Sequence, residues 1–321
     1  MLTADWRPTA AMIQLRERAQ ILGEIRTFFA ERDVWEVETP LLSAAATTDP
    51  NLASLSTVYA GQHYYLHTSP EFPMKRLLAA GSGAIYQLCR VFRDDERGRR
   101  HHPEFTLLEW YRPGYDENQL MGEIESLLRS LAQGRRPLGP GQRLTYQQAF
   151  QRHAGLNPHT ATVVECAQLA TKQGIQIADL GPDIDLWLDL LMSEVVTPQL
   201  GRDGPVFITD FPASQSALAR LKPGTPVVAA RFELFLAGME LANGFHELTD
   251  AAEQRRRFVA DNTKRRAQGQ PEMPMDERFL AALAAGLPDC AGVALGVDRL
   301  LMALLGQPCI DGVLSFPIEI S

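Results

Sequence analysis

This 321-residue sequence lacks the features that mark several specialised classes of protein. Its few cysteines form no C-x-x-C pair, so we predict neither a zinc site nor a disulfide framework. No apolar run reaches the roughly 18 residues that a membrane-spanning helix needs. The N-terminal segment MLTADWRPTA also has no basic-then-apolar signal pattern. We therefore expect a cytoplasmic protein that does not associate with a membrane.

An excess of positive charge is also missing. The formal net charge is −8 at pH 7, which excludes a protein whose whole surface is built to coat nucleic acid. One local basic segment remains, comprising Arg255, Arg256, Arg257, Lys264, Arg265 and Arg266. A charge run of this kind is more often the solvated face of a helix than a binding site, and we favour that interpretation.

The periodicity of apolar residues predicts an α+β fold. The opening segment repeats apolar residues at helical spacing, at Ile21, Ile25, Phe28 and Phe29. The middle of the chain carries helical segments near 146–153, 163–173 and 185–195. Strand-like segments cluster near both ends, which favours an antiparallel sheet flanked by helices over alternating βαβ units. We predict a single domain over residues 1–321.

Two further helices are predicted from their boundary residues. Pro73 suits the start of a helix that ends before Gly81. Asp250, followed three residues later by Glu253, fits a capping box at the start of a helix near the C-terminus.

A predicted hairpin carries the first chemically notable residues. The segments AIYQLCRVFR and EFTLLEWY are strand-like and are joined by the charged loop DDERGRRHHP. The two-residue period of a strand puts Glu109 on the same face as Leu107 and Tyr111. A carboxylate on that face needs a cationic partner, which is either the amine of a ligand or a nearby arginine. The strand alone does not decide between them.

The loop of this hairpin is rich in cations. Arg93 ends the first strand, where its planar guanidinium suits a carboxylate or phosphate. The loop adds Arg97, Arg99, Arg100, His101 and His102. Such a cluster can close on an anionic ligand, but an arginine-rich surface turn is common and is a weak signal by itself.

A second hairpin is predicted in RFELFLAGMEL. A tight turn at Ala237–Gly238 would place Phe235 opposite Glu240, with Glu233 on the same face as Phe235. Diagonal neighbours in a hairpin come within roughly 7 to 8 Å, so the two carboxylates could share a divalent cation. Magnesium bound by Glu233 and Glu240 would in turn hold the phosphates of a nucleotide.

The polar residues after this hairpin admit two interpretations. Glu240, Asn243 and Glu247 are spaced like the polar face of a surface helix. The dipeptide Asn243–Gly244 is a turn signal, so we favour an irregular segment that points these side chains into a site.

The segment GVALGVDRLL predicts a strand that turns directly into a helix. Gly292 and Gly296 permit close approach of the backbone, and Arg299 lies in the first turn of the helix. A helix N-terminus favours anions, so this junction is a candidate seat for a terminal phosphate. A glycine-flanked junction is also a frequent structural feature.

Together these segments resemble the three signature motifs of class II aminoacyl-tRNA synthetases. FFAERDVWEVETP is similar to motif 1, FRDDERGRRHHPEFTLLEWY to motif 2 and ALGVDRLLM to motif 3. The segments SPEFPMKRL and ELANGFHELTD are similar to the lysyl branch. The resemblance implies the α+β catalytic domain of that class, a homodimer, and the use of ATP and Mg²⁺ to activate a lysine-like amino acid.

The resemblance also assigns roles by position. Arg93 would hold the α-phosphate and the substrate carboxylate, Phe105 would stack on adenine, and Arg299 would hold the γ-phosphate; the two arginines would be the catalytic residues. The residues that would bind ATP are Arg93, Asp94, Asp95, His101, His102, Phe105, Glu240, Leu241, Gly296 and Arg299. The residues that would bind the amino acid are Ser69, Pro70, Glu71, Glu109, Tyr111, Asn243, Glu247 and Ala294.

The sequence departs from the lysyl synthetases in several places. Fewer than about 20 residues precede the first helix, too few for an anticodon-binding domain, so we expect no anticodon recognition. Ala294 stands where the synthetases have glycine, which adds a methyl group to the predicted amino-acid pocket. Asp95 and His102 replace Glu and Asn in motif 2.

A sequence that combines these features resembles a group of stand-alone paralogues of the synthetases. Those paralogues attach (R)-β-lysine to a lysine of translation elongation factor P. That resemblance implies lysine or (R)-β-lysine as the small substrate and elongation factor P as the acceptor. Other activities compatible with the motifs are a truncated synthetase that charges tRNA, an amide-forming ligase for small molecules, and a silent paralogue that senses lysine.

Overall fold

The computed structural model describes residues 6–94, 96–176 and 180–321. The helices of these ranges are α1 Met12–Ala30, α2 Glu71–Ala79, α3 Glu117–Ala132, α4 Tyr146–His153, α5 Val163–Lys172, α6 Ile184–Leu191, α7 Ala251–Ala267, α8 Glu277–Gly286 and α9 Val297–Leu305. The strands are β1 Trp35–Glu36, β2 Leu42–Ser43, β3 Ser56–Tyr59, β4 Gln62–Leu66, β5 Ile85–Phe92, β6 Glu104–Pro113, β7 Gln142–Thr145, β8 Val206–Pro212, β9 Leu221–Lys222, β10 Val228–Leu236, β11 Met239–His246 and β12 Cys290–Gly296.

The strands form one large sheet in the order β1-β5-β6-β12-β11-β10-β8-β7, with β9 paired to β10. Every pair from β5 to β8 along this order is antiparallel. The edge pairs β1–β5 and β7–β8 are parallel. A smaller sheet has the order β2-β4-β3. The predicted α+β class, with an antiparallel sheet flanked by helices, is confirmed.

The main core packs helices α1, α3 and α9 against the large sheet. The four apolar residues that predicted the opening helix are buried in it, namely Ile21, Ile25, Phe28 and Phe29. The Phe29 ring stacks on Tyr86 at a centroid distance of 4.5 Å and meets Trp110 edge-on at 5.3 Å. Burying each such side chain stabilises the fold by about 1.5 to 3 kcal/mol.

Helix α3 was missed by the sequence reasoning. The Asp116 side chain accepts a hydrogen bond from the Gln119 backbone N–H, and the Gln119 side-chain oxygen accepts one from the Asp116 N–H. This capping box and the buried face of Leu120, Ile124 and Leu127 are the signals that could have revealed it.

Three local predictions need correction. Helix α2 begins at Glu71, not at Pro73, because the Ser69 hydroxyl accepts a hydrogen bond from the Glu71 N–H at 3.0 Å. Pro73 still lies within the first turn, where its missing N–H is not needed. Asp250 caps α7 as predicted, but the Glu253 carboxylate bonds Arg256 and Arg257, so the reciprocal half of a capping box is not formed.

The third correction concerns Asn243–Gly244, which is not a turn. Both residues lie within the regular strand β11, opposite Glu233 and Phe232 of β10. A Cβ at Gly244 would lie 2.3 Å from the Phe232 ring, so this glycine makes room for an aromatic side chain. The predicted irregular segment and the alternative surface helix are both wrong.

The predicted basic segment lies largely on α7. Arg255 pairs with Glu277, Arg256 and Arg257 pair with Glu253, and Arg266 pairs with Glu272. Arg265 is buried and donates to the carbonyls of Pro271 and Asp49. The exposed members of the segment agree with the predicted solvated helix face, whereas the buried Arg265 does not.

One arginine connects α1 to the centre of the molecule. Arg18 bonds the Asp298 carboxylate at 2.5 Å and the Thr106 hydroxyl at 2.7 Å. Asp298 in turn accepts from the Thr106 backbone N–H at 2.6 Å and is 1% exposed. The outer helix, strand β6 and helix α9 therefore share one buried network.

No helix in the described ranges has the length and apolar character to cross a membrane.

Candidate active site

A cavity of about 1150 Å³ opens over the middle of the large sheet, between the β5–β6 loop and the N-terminus of α9. Most of the predicted site residues line it, namely Ser69, Glu71, Arg93, His101, His102, Phe105, Glu233, Glu240, Leu241, Asn243, Ala294, Gly296 and Arg299. Residues from four separate sequence segments thus meet in one place.

Arg93 and Arg299 form what we call the arginine end of the cavity. The Arg93 guanidinium lies 5.1 Å from the centre of the Phe105 ring and 3.4 Å from the Glu96 carboxylate. Its Nε is buried and has no hydrogen-bond partner among the described residues. Because a buried donor without an acceptor is costly, this nitrogen is suited to an anionic ligand.

Arg299 is fixed in the first turn of α9. It donates to the backbone carbonyls of Glu240 (3.0 Å) and Arg100 (3.2 Å). Its Nη2 lies 2.6 Å from His101 Nε2. Burial and the nearby Arg299 charge lower the pKa of His101, so its ring is neutral and Nε2 accepts this hydrogen bond. The cation is therefore held in place before any ligand arrives.

The predicted carboxylate pair lies on one wall of the cavity. Phe235 is opposite Glu240, as the predicted hairpin requires, and Glu233 is opposite Asn243. Burial raises the pKa of Glu233 to about 7, against the neighbouring Arg231 charge. The nearby Glu240 raises it further, so the two carboxylates are close enough to repel.

Arg231 was not anticipated. It bonds the Glu233 carboxylate, the Asn243 side-chain oxygen at 3.1 Å and the Gln215 carbonyl at 2.8 Å. It lies on the same strand as Glu233, two residues earlier, and that alternation was the available signal.

The carboxylate pair is chemically suited to a partly hydrated Mg²⁺. No group of three or more His, Cys, Asp or Glu side chains among the described residues is arranged to hold a metal ion. Magnesium usually takes only one or two carboxylates and fills its other positions with water and substrate phosphates. Glu233 and Glu240 fit that requirement in number and in place.

Beside the cavity lies a group of side chains that we call the carboxylate cluster, consisting of Glu71, Glu109, Glu247, Tyr111 and Lys75; Glu71 lines the cavity, and the other four are buried. Glu109 is 1% exposed and accepts hydrogen bonds from the hydroxyls of Tyr111 (2.6 Å) and Ser69 (2.8 Å). Burial and then the Glu71 charge raise the pKa of Glu109 to about 8. The sequence left two possible cationic partners for Glu109, the amine of a ligand or a nearby arginine. Among the described residues, no arginine pairs with Glu109.

The other two carboxylates of the cluster share one lysine. Lys75 Nζ lies 2.5 Å from Glu71 Oε1 and 2.6 Å from Glu247 Oε2. Burial disfavours the charged amine, but Glu247 and Glu71 outweigh that effect and raise the pKa of Lys75 above its usual value. The sequence reasoning missed Lys75, although it lies four residues after Glu71 on a helix, the spacing of an ion pair.

Gly292 lets the cluster close. A Cβ at this position would lie 2.3 Å from the Tyr111 ring and 2.4 Å from Glu247 Oε1. The predicted close approach at Gly292 is therefore real. At Gly296 the nearest atom to an added Cβ would be 3.8 Å away, so the space beside Gly296 belongs to the cavity.

Ala294 lies between the two parts of the site. Its neighbours across the sheet are Glu109 on β6 and Asn243 on β11. Because it also lines the cavity, its methyl group occupies space next to the cluster.

The remaining predicted residues are less directly placed. Both ring nitrogens of His102 contact backbone groups, Nδ1 at 2.5 Å from the Glu104 carbonyl and Nε2 at 2.9 Å from the Ile318 N–H. The Asp94 N–H donates to the Ala53 carbonyl. Pro70 precedes α2 next to Ser69. Asp95 lies outside the described residues. The nucleotide contacts of His102, Asp94 and Asp95 and the amino-acid contact of Pro70 stay predictions.

A cavity with arginines at one end, a carboxylate pair on its wall and buried acids beneath it can hold a triphosphate beside a cationic molecule. On an antiparallel sheet, that arrangement is typical of enzymes that activate carboxylates with ATP. The chain belongs to the family described as tRNA synthetases class II (D, K and N), which matches residues 3–320.

Curated relatives narrow the comparison within this family. The chain is 50% identical over 324 aligned residues to the elongation factor P–(R)-β-lysine ligase of Salmonella paratyphi B, covering 99% of this chain and 98% of that protein. It is 49% identical to the ligase of the same name from Klebsiella pneumoniae, with the same coverage. The resemblance inferred from the motifs is confirmed.

Proposed function

We propose that this protein is a cytoplasmic ligase that activates (R)-β-lysine, or lysine, with ATP and transfers it to a lysine side chain of elongation factor P. The observation that carries the proposal is that the arginine end shares one cavity with Glu71 and Ala294, which adjoin the buried members of the carboxylate cluster. The names of the curated relatives support the choice of amino acid and acceptor.

The first half-reaction joins the amino-acid carboxylate to the α-phosphorus of ATP. A carboxylate oxygen attacks the phosphorus, the bond to the bridging oxygen breaks, and pyrophosphate leaves with the electron pair. Arg93 would hold the α-phosphate and the substrate carboxylate in line, and Arg299 the γ-phosphate. Such positioning and charge stabilisation account for most of the rate in phosphoryl chemistry. Mg²⁺ held by Glu233 and Glu240 would neutralise charge on the phosphates.

The second half-reaction moves the aminoacyl group to an amine. The acceptor lysine attacks the carbonyl carbon of the adenylate, an amide bond forms, AMP leaves and the amine loses a proton. The geometry identifies no dedicated catalytic base among the described residues of the cavity. We therefore expect positioning to account for the rate of this step as well.

The carboxylate cluster accounts for the choice of a diamino acid. Glu71 lines the cavity and would meet the backbone amine, while Glu109, Tyr111 and Glu247 would surround the side-chain ammonium. A buried acid left without its cation is penalised, so an uncharged amino acid is rejected.

Pyrophosphate exchange tests the proposal and separates it from its rivals. Exchange should depend on (R)-β-lysine more strongly than on α-lysine, and labelled product should then appear on elongation factor P and not on bulk tRNA. Acid-precipitable aminoacyl-tRNA would favour a truncated synthetase. Products with free amines alone would favour a small-molecule ligase, and the absence of exchange with either amino acid would favour a lysine sensor.

We also propose a homodimer formed through the motif 1 segment. Trp35, in the edge strand β1 of this segment, is 59% exposed and is therefore available for contact with a second chain. Sedimentation equilibrium should give twice the chain mass, and Trp35→Glu should reduce it to the monomer. A monomeric wild-type protein would refute this part.

A further inference from the structure

Lys75 is the one lysine of the carboxylate cluster, and its surroundings are unusual for a charged residue. It is 1% exposed, although lysine is seldom fully buried without a strong reason. Its Nζ lies 6.0 Å from the Tyr111 ring centroid and 5.8 Å from that of Phe279. Two carboxylates and two aromatic rings thus enclose this ammonium group on separate elements of the fold.

The two carboxylates that Lys75 joins are anchored independently. Glu71 is on α2, one helical turn before Lys75. Glu247 follows β11, where its N–H donates to the Cys290 carbonyl at 3.0 Å and its own carbonyl accepts from Arg220 at 3.1 Å. Lys75 is therefore the contact, within the described chain, that ties one carboxylate to the other.

Lys75 takes one oxygen of each partner, Oε1 of Glu71 and Oε2 of Glu247. The second oxygens differ in position. Glu71 lines the cavity wall, whereas Glu247 Oε1 lies beside Tyr111, below the floor. One bridge thus sets the distance between two acidic groups that face different parts of a ligand.

The charges of the cluster also indicate that Lys75 adapts the cluster to a particular ligand. Glu71, Glu109 and Glu247 supply three negative charges when ionised, and Lys75 supplies one positive charge. The remaining two negative charges match a ligand with two ammonium groups. Without Lys75 the carboxylates would repel one another and outnumber the charges of such a ligand.

We propose that Lys75 is a positioning residue for amino-acid recognition: by bridging Glu71 and Glu247 it fixes the separation of the two acidic groups and matches their charge to a diamino acid of one length. This inference rests on the proposed function. Lys75 itself does not touch the reacting atoms, and it acts through the two carboxylates.

The decisive variant is Lys75→Met, which keeps most of the buried stem and removes the charge. In pyrophosphate exchange, the KM for the lysine-type substrate should rise at least about tenfold while the KM for ATP changes by less than about twofold. The preference for lysine over the shorter ornithine should fall at least about fivefold, because the carboxylates are no longer held at one separation.

Lys222→Met is the matched control. Lys222 also bridges two carboxylates, Glu117 and Asp210, but its partners lie outside the cluster. It should leave both KM values and the ornithine preference unchanged. If Lys75→Met instead loses thermal stability and raises both KM values equally, Lys75 is a structural residue and the inference is overturned.

Chemical rescue gives a second readout that a structural role would not produce. Lys75→Ala leaves a space the size of propylammonium between the two carboxylates. Added propylammonium should restore lysine-dependent exchange in a saturable way, and sodium chloride at equal ionic strength should not. Failure of propylammonium to rescue a folded Lys75→Ala protein would overturn the inference.

Two further outcomes keep the test decisive. If neither variant folds, Lys75→Arg retains the charge in a larger group and should shift the preference between lysine and ornithine; an unchanged preference overturns the inference. The wild-type protein is assayed first. No exchange with any diamino acid would refute the proposed function, whereas normal exchange that Lys75 variants leave unaltered refutes this inference alone.

Discussion

At the arginine end of the cavity, Arg93 and Arg299 keep 26% and 23% of their side chains exposed. In the carboxylate cluster, Glu109 and Glu247 are each 1% exposed. The arginines hold their position mainly through backbone carbonyls and a ring, whereas the acids depend on one another and on Lys75. Partly hydrated cations can adjust to a flexible triphosphate at little cost, but buried charges cannot reorganise. We therefore expect the arginine end to determine how strongly ATP binds and the carboxylate cluster to determine which amino acid is accepted.

Removing a cation from the arginine end should have the largest effect. Arg93→Ala should lower pyrophosphate exchange about a thousandfold, since one preorganised charged donor at a developing charge accounts for 10²–10³ or more in rate. Arg97→Ala is the control from the same loop, because Arg97 pairs with Asp311 and Glu319 outside the cavity. It should change exchange by less than about twofold. Similar losses in both variants would mean that the loop, not Arg93, matters.

Removing a charge from the carboxylate cluster should affect one substrate only. Glu247→Gln should raise the KM for lysine-type substrates about ten- to a hundredfold, because it removes one charge facing the ammonium and leaves Lys75 short of a partner. The KM for ATP should stay within about twofold of wild type. Equal increases for ATP and the amino acid would show that the two ends are not separate.

A change of one methyl group sharpens the comparison further. Ala294→Gly should shift preference toward α-lysine over (R)-β-lysine by about three- to tenfold, the range expected for one carbon atom in a pocket. The KM for ATP serves as the internal control and should not change. An unaltered preference would place the Ala294 methyl outside the space that the amino acid occupies.

The smallest expected effect is the release of protons when the amino acid binds. With its pKa raised to about 8, Glu109 holds a proton at pH 7 in the ligand-free protein. A bound ammonium favours the ionised form, so binding should release part of a proton near pH 7, and affinity should weaken as the pH falls below 8. Calorimetry in buffers of different ionisation enthalpy measures that release. Glu109→Gln should reduce it to the part contributed by Glu247, whose pKa burial also raises, to about 7, and binding of ATP should show none from this cluster.

Sequence reasoning located the site well where short-range periodicity controls geometry. The alternation of EFTLLEWY put Glu109 on the face of Tyr111, and the tight turn at Ala237–Gly238 put Phe235 opposite Glu240. These relations depend on strands and turns that a few neighbouring residues specify. The family resemblance supplied the rest of the residue set.

The partners of those residues could not be predicted in the same way. Lys75 meets Glu247 across 172 positions of sequence, and nothing in either segment specifies that contact. The dipeptide Asn243–Gly244 is typical of a turn, but Gly244 lies in a strand, where its missing side chain leaves room for the Phe232 ring on the neighbouring strand. Tertiary packing overrides a local turn preference when a ring must be accommodated. Contacts of this kind decide which buried charges remain for a ligand.

The network around Arg18 has a mechanical consequence. Two of its partners, Asp298 and Thr106, are the immediate chain neighbours of Arg299 and Phe105. A displacement of the outer helix α1 would move the Arg18 guanidinium, which bonds the residue beside each of these two predicted nucleotide contacts. We therefore expect a molecule that binds against α1 to shift Arg299, the predicted γ-phosphate contact, without entering the cavity.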